Sequence, residues 1–158
     1  MKIYVLTTSY PDKLRPSLDI FVFEQVKALM RCGHDVLVLN VAKLPTKMLF
    51  SKADHSVQLL DDEFGKRLRV NMKTCMESRF PWLNRDSFVR AMRRLFREAY
   101  ARFGAPDLLY AHFSCWAGYA GTVISKEYSV PLVTIEHNSK LMRPAVKRVL
   151  KKGVKDSI

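Results

Sequence analysis

The sequence predicts an α/β fold: a three-layer, Rossmann-like domain built on a mainly parallel sheet. Three observations carry this. Short apolar runs alternate with amphipathic helical patterns along most of the chain. Residues 35–41 are almost unbroken in their apolarity, as in a strand buried on both faces. Two further apolar runs end in polar clusters, Tyr110-Ala111-His112-Phe113-Ser114 and Thr134-Ile135-Glu136-His137-Asn138-Ser139. In an open parallel sheet, ligands bind beyond the carboxyl ends of the strands, so these clusters are the first places to look for a site.

The elements follow in order. Residues 3–7 form the first strand. Pro11 and Pro16 then break regular structure. Asp19 is placed to cap a helix over residues 20–32, with Phe23, Val26, Leu29 and Met30 on its inner face and Gly33 as terminator. Residues 35–41 complete a βαβ unit. Residues 56–60 and 68–72 read as strands around the turn Asp61-Asp62-Glu63-Phe64-Gly65. After a loop through Pro81 and Trp82 comes an arginine-rich helix with an apolar stripe: Phe88, Val89, Met92, Leu95, Phe96, Ala99, Tyr100 and Phe103. Gly104 and Pro106 end it. Following the strand that ends at His112, Ser114 is placed to cap a helix reaching about Tyr128, in which Gly118 and Gly121 allow close packing on the sheet. Pro131 opens the next strand, and Pro144 starts a basic helix with Val146, Val149 and Leu150 inward. No strand follows that helix, so a fragment of a longer domain is expected.

With 158 residues, 48% of them hydrophobic, the chain is a globular composition sized for one domain. No apolar run reaches the ~20 residues of a membrane span, and the opening residues suit a strand better than a secretion signal. A cytoplasmic location is the expectation. Cys32, Cys75 and Cys115 fit neither a disulfide framework nor a metal knuckle.

The net charge is +12, which favours phosphate-rich partners. Six arginines (Arg85, Arg90, Arg93, Arg94, Arg97, Arg102) lie in the one helix, and seven Lys or Arg residues fall between Lys140 and Lys155. A solvated helix face is the default explanation of such a run. Docking to anionic lipid comes next. Nucleic-acid binding ranks last, because no nucleic-acid motif accompanies the arginines.

The loop after the first strand contains no glycine, and no lysine-bearing phosphate loop is present. Both absences argue against a nicotinamide oxidoreductase or a P-loop enzyme. The loop still feeds a helix N-terminus that attracts anions, with Ser9, Tyr10, Arg15 and Ser17 at hand. His112 is either a ligand contact or a structural group satisfied by neighbouring backbone. His137 stands out more, because Glu136, Asn138 and Ser139 surround it with hydrogen-bonding groups and imidazole can donate or accept near neutral pH. Neither histidine has metal-ligand spacing, so no metal is expected.

Three stretches, taken in order, resemble the GT-B glycosyltransferases of the family 4 type. They are Val5-Leu6-Thr7-Thr8-Ser9-Tyr10-Pro11 with the following helix and Gly33-His34-Asp35-Val36; Pro106-Asp107-Leu108-Leu109-Tyr110-Ala111-His112-Phe113; and Val130-Pro131-Leu132-Val133-Thr134-Ile135-Glu136-His137-Asn138-Ser139. The resemblance implies that residues 1–158 are the N-terminal, acceptor-side half of a two-domain, retaining enzyme, inactive without the other half. That other half would hold most of the nucleotide-sugar, which is a substrate; no cofactor is implied. By the same resemblance, His137 is the catalytic histidine that reaches the transferred sugar. Ser9, Tyr10, Arg15, Asp19, His112, Phe113, Glu136, Asn138 and Ser139 line the acceptor or donor-sugar side. Where family members often carry a glycine pair, this chain has Leu18-Asp19. The implied partners are a nucleotide-sugar donor and a sugar or lipid-linked acceptor, in surface polysaccharide or glycolipid assembly, at the inner face of an anionic membrane. The rival from another class is a non-catalytic basic α/β module for phosphate-bearing ligands or RNA.

Overall fold

The computed structural model describes residues 1–44, 56–73 and 81–137. Cys75, Asn138, Ser139, the basic run 140–155 and the helix expected from Pro144 lie outside the described residues. Six strands form one sheet: β1 (Lys2–Thr7), β2 (Asp35–Leu44), β3 (Gln58–Asp62), β4 (Gly65–Lys73), β5 (Leu108–His112) and β6 (Leu132–Ile135). Their order is β3-β4-β2-β1-β5-β6. All neighbouring pairs are parallel except the β3–β4 hairpin. The three-layer, mainly parallel architecture is therefore as expected.

Strand alternation divides the apolar side chains between two faces. Ile3, Val5, Val36 and Val38 meet Val22 and Val26 of α1 (Ile20–Arg31). Tyr4, Leu6, Leu37, Leu39, Leu68 and Val70 meet Phe88, Met92, Leu95 and Phe96 of α2 (Pro81–Phe103) and Ile124 of α3 (Tyr119–Tyr128). Each such side chain, fully buried, contributes about 1.5–3 kcal/mol, which overrides the charge density that α2 carries on its outer side.

Several local expectations are corrected. Met30 is half-exposed, and Val22 takes the inner position instead, because the buried face of α1 runs through residues 22 and 26. Tyr100 also lies 42% exposed, at the rim of the α2 stripe. Pro81 does not belong to the preceding loop but opens α2, where its missing N–H costs nothing. β2 extends three residues past Val41, because β4 pairs with it as far as Leu44.

Gly33 follows α1 with φ +81°, and the His34 N–H returns to the Leu29 carbonyl at 3.2 Å, a left-handed helix stop. The close packing expected at Gly118 and Gly121 is present. A Cβ on Gly121 would stand 2.9 Å from Leu132 Cδ1, and one on Gly118 would stand 3.0 Å from Thr134 Cγ2. These glycines let the start of α3 press against β6.

Candidate functional site

Connections run from β1 towards β2 on one side, while β5 and β6 lie on the other. The point of reversal is thus between β1 and β5, where such sheets bind ligands. Two structures occupy it: the loop 8–19 leaving β1, and the histidine pair leaving β5 and β6.

The loop is held firmly, and its anchors explain its shape. Asp12 accepts hydrogen bonds from the backbone N–H groups of Leu14 (3.1 Å) and Arg15 (2.9 Å). Its other oxygen meets Arg15 Nη2 at 3.0 Å and Arg69 Nη1 of β4 at 3.3 Å. Burial would raise the Asp12 pKa, but the Arg15 hydrogen bond and charge, with Arg69, outweigh it and hold the carboxyl below its usual range. Tyr10 is buried, donating its hydroxyl to the Phe64 carbonyl at 3.1 Å in the β3–β4 turn. Burial pushes its pKa well up. Arg67, only 2% exposed, grips Asp62 with bonds of 2.6 and 2.9 Å and lies over the Tyr10 ring. That guanidinium lowers the Asp62 pKa. The hairpin thereby serves as the loop's backstop.

Asp19 does not cap α1. It sits in the left-handed region (φ 45°, ψ 44°) without a side-chain cap bond. In that conformation its carboxylate turns to the loop and accepts the Ser9 hydroxyl hydrogen bond. Thr7, fully buried, donates to the Ser9 carbonyl at 2.7 Å.

The two histidines come together. His112 is fully buried at the end of β5; His137, two residues beyond β6, is partly exposed. His112 Nδ1 and His137 Nε2 are 3.1 Å apart, with ring planes 9° from parallel. Burial, then the neighbouring His137, lowers the His112 pKa from 6.5 to about 4, so that ring is neutral at pH 7. Its Nε2 is buried without a hydrogen-bond partner among the described residues. Phe21 of α1 packs against His137 (centroids 4.5 Å apart) and Phe113 (6.0 Å).

Phe113 adopts φ +72°, ψ +117°, uncommon for a residue with a side chain. Its N–H is taken by the Ile135 carbonyl and its own carbonyl by Gly118 N–H, both at 2.9 Å. The second bond closes a widened helical turn, Ser114–Gly118, before α3. Ser114 therefore does not cap a helix with its hydroxyl. Its backbone N–H donates to Glu136 Oε2 at 2.9 Å, so a carboxylate from the neighbouring strand end serves the turn.

Of the expected site residues, His112, Phe113, Glu136 and His137 thus converge, and Ser9, Tyr10, Arg15 and Asp19 share the adjacent loop. Sequence reasoning missed Phe21, Asn40 and Lys43. Asn40 left a readable signal, a lone amide inside the run Val36-Leu37-Val38-Leu39-Asn40-Val41. Among the described residues, no three His, Cys, Asp or Glu side chains are grouped to hold a metal ion. Nor is any described helix long and apolar enough to cross a membrane.

No family model matches the chain. In fold comparison, 96% of the chain aligns with 36% of CalG4, the calicheamicin glycosyltransferase, at 14% identity and a TM-score of 0.47. In sequence it is 25% identical over 151 residues to TuaC of Bacillus subtilis (strain 168), assigned as a teichuronic acid biosynthesis glycosyltransferase. That alignment covers 88% of this chain and 36% of TuaC. The chain thus spans about a third of the relative's length, and it is related in sequence to a glycosyltransferase.

Proposed function

We propose that this chain is the acceptor-side half of a retaining glycosyltransferase of the family 4 type. A second Rossmann-like domain, elsewhere in a longer polypeptide, would hold the nucleotide-sugar. The relationship to TuaC, extending over 88% of the chain, carries this reading. Surface polysaccharide or glycolipid assembly is the biosynthetic setting, with a sugar or lipid-linked acceptor.

His137 is the catalytic group in this proposal. It is the more accessible member of the histidine pair and can hydrogen-bond a hydroxyl of the transferred sugar. Neutral His112 fixes the orientation of its ring, and Phe21 and Phe113 limit its movement. Transfer with retention passes through oxocarbenium character, so rate comes from positioning and from stabilising the departing diphosphate. The first of these belongs to this half. The family resemblance assigns acceptor contact to Asn138 and Ser139 as well.

Arg90, Arg94 and Arg97 are exposed at four- and three-residue spacing, which puts them on one face of α2. We assign that face to contact with anionic lipid at the cytoplasmic side of the membrane.

The test is nucleoside diphosphate release by the longer polypeptide from a panel of nucleotide-sugars with lipid-linked acceptors. Release by the whole and none by residues 1–158 alone is expected. Release by neither, from a folded protein, would contradict the proposal.

A further inference from the structure

Beside the loop lies a cavity of about 280 Å³, at the carboxyl ends of β1 and β2 and separate from the histidine pair. Thr8, Ser9, Tyr10 and Arg15 line it from the loop; Asn40 and Lys43 line it from β2. Leu18 and Ala42 complete the wall. This volume sits just below the usual range of ligand sites, about 300–1,000 Å³, and suits a single sugar ring.

Asn40 gives the cavity a direction. It pairs in register with Thr7 in the middle of the sheet and is 3% exposed, yet its Nδ2 has no hydrogen-bond partner among the described residues. A buried amide donor left unmatched is destabilising, because its desolvation is not offset by a bond. An apolar residue of similar size would avoid that cost, since Val38 and Ala42 flank Asn40 on the same face of β2. The lining also contains two cations, Arg15 and Lys43, and no acid. Arg15 is already engaged with Asp12, but Arg69 shares that carboxylate, leaving a surplus of positive charge. Lys43 reaches the opposite face of β2, its Nζ 3.9 Å from the Trp116 ring centroid, so Arg15 is the cation on the side of Asn40.

We propose that this cavity binds the acceptor through a sugar ring bearing an anionic oxygen group, a carboxylate or a phosphate. Asn40 Nδ2 donates to the ring's oxygens, and Arg15 meets the charge. The proposal rests on the glycosyltransferase reading for the word acceptor; the binding itself does not.

The experiment is NMR titration of the 158-residue chain with glucuronate, glucose 6-phosphate, glucose and inorganic phosphate. Glucuronate or glucose 6-phosphate shifts the Asn40 side-chain amide and the Thr8 and Ser9 backbone signals. Tighter binding by the first assigns a carboxylate, and by the second a phosphate. Glucose binds at least about tenfold more weakly, the loss of one charge-assisted contact. Asn40→Leu abolishes the shifts while leaving Tm unchanged or raised, an outcome that a purely structural Asn40 would reverse. Arg15→Gln weakens binding with the Asn40 signal still moving at high ligand.

Glucose binding equally to the charged sugars would overturn the proposal, as would inorganic phosphate binding as tightly as glucose 6-phosphate. No shift at Asn40 with any probe would also overturn it, whatever the longer polypeptide transfers. Conversely, anionic sugars seated at Asn40 in a protein that transfers nothing would uphold the site and refute the transferase reading.

Discussion

His112 Nδ1 lies 3.1 Å from His137 Nε2, joining the ends of two adjacent parallel strands through a hydrogen bond between nearly parallel imidazoles. Only one proton can sit between those nitrogens. Burial keeps His112 neutral at pH 7, so its ring meets His137 as an uncharged hydrogen-bonding partner.

The pair makes stability pH-dependent. The His112 pKa is 6.5 when unperturbed and about 4 when folded. The unfolded chain therefore binds a proton that the native state refuses as the pH drops between these values. His112's contribution is complete above pH 6.5 and is lost as pH falls towards 4, on the order of 3 kcal/mol in all. Thermal melts between pH 7 and 4.5 should show a falling Tm, and His112→Gln should flatten the slope. A wild-type Tm that stays level over that range would count against a buried neutral His112.

The Asp62–Arg67 pair should respond asymmetrically. Arg67 is 2% exposed, whereas the Asp62 side chain is 22% exposed. Asp62→Ala strands a buried guanidinium and should cost about 3 kcal/mol. Arg67→Met leaves a carboxylate that water can reach, and it should cost less. Denaturant melts of the two variants decide this, and the reverse order would contradict the assignment of Arg67 as the buried partner.

Gly121 permits the approach of α3 to β6. Adding one methyl gains up to about 1 kcal/mol of helix propensity, which offsets the push on the flexible end of Leu132. Gly121→Ala should therefore be near neutral. Gly121→Val should lose about 2 kcal/mol by overpacking. Equal stability of the two variants, by urea melts, would show that the contact is loose.

The arginine face of α2 should direct membrane contact. Replacing Arg90, Arg94 and Arg97 with Gln should each weaken partition onto anionic vesicles by about 1 kcal/mol, roughly fivefold. Co-sedimentation at low and high salt measures this. Equal binding to neutral and anionic vesicles would contradict the electrostatic assignment.

Much of the fold was legible because hydrophobic period is a direct record of burial. The alternation at residues 3–7 and 36–41 and the stripe from Phe88 to Ala99 translate into two core faces. Helix ends were less so. Asp19 has the right chemistry for a cap, but a cap also needs extended backbone, and Asp19 is left-handed and bonded to Ser9. Ser114 reads as a cap in the sequence, but the acceptor for its turn, Glu136, comes from 22 residues away. The candidate site was legible only as separate pieces. Sheet geometry marks both histidines, but the register that brings His112 level with Ile135 and folds His137 back onto it is a tertiary outcome. Asn40 is hidden in the sequence because an apolar strand run masks one polar member, and its unmatched donor is a property of the folded sheet.

The most direct test of the account is kcat/KM of the longer polypeptide carrying His137→Ala, with Tm measured alongside. A contact made by His137 to the transferred sugar predicts a loss of about 100-fold with the fold intact and with nucleotide-sugar binding little changed. Turnover within twofold of the unsubstituted enzyme, in a protein that melts normally, would contradict the role given to His137.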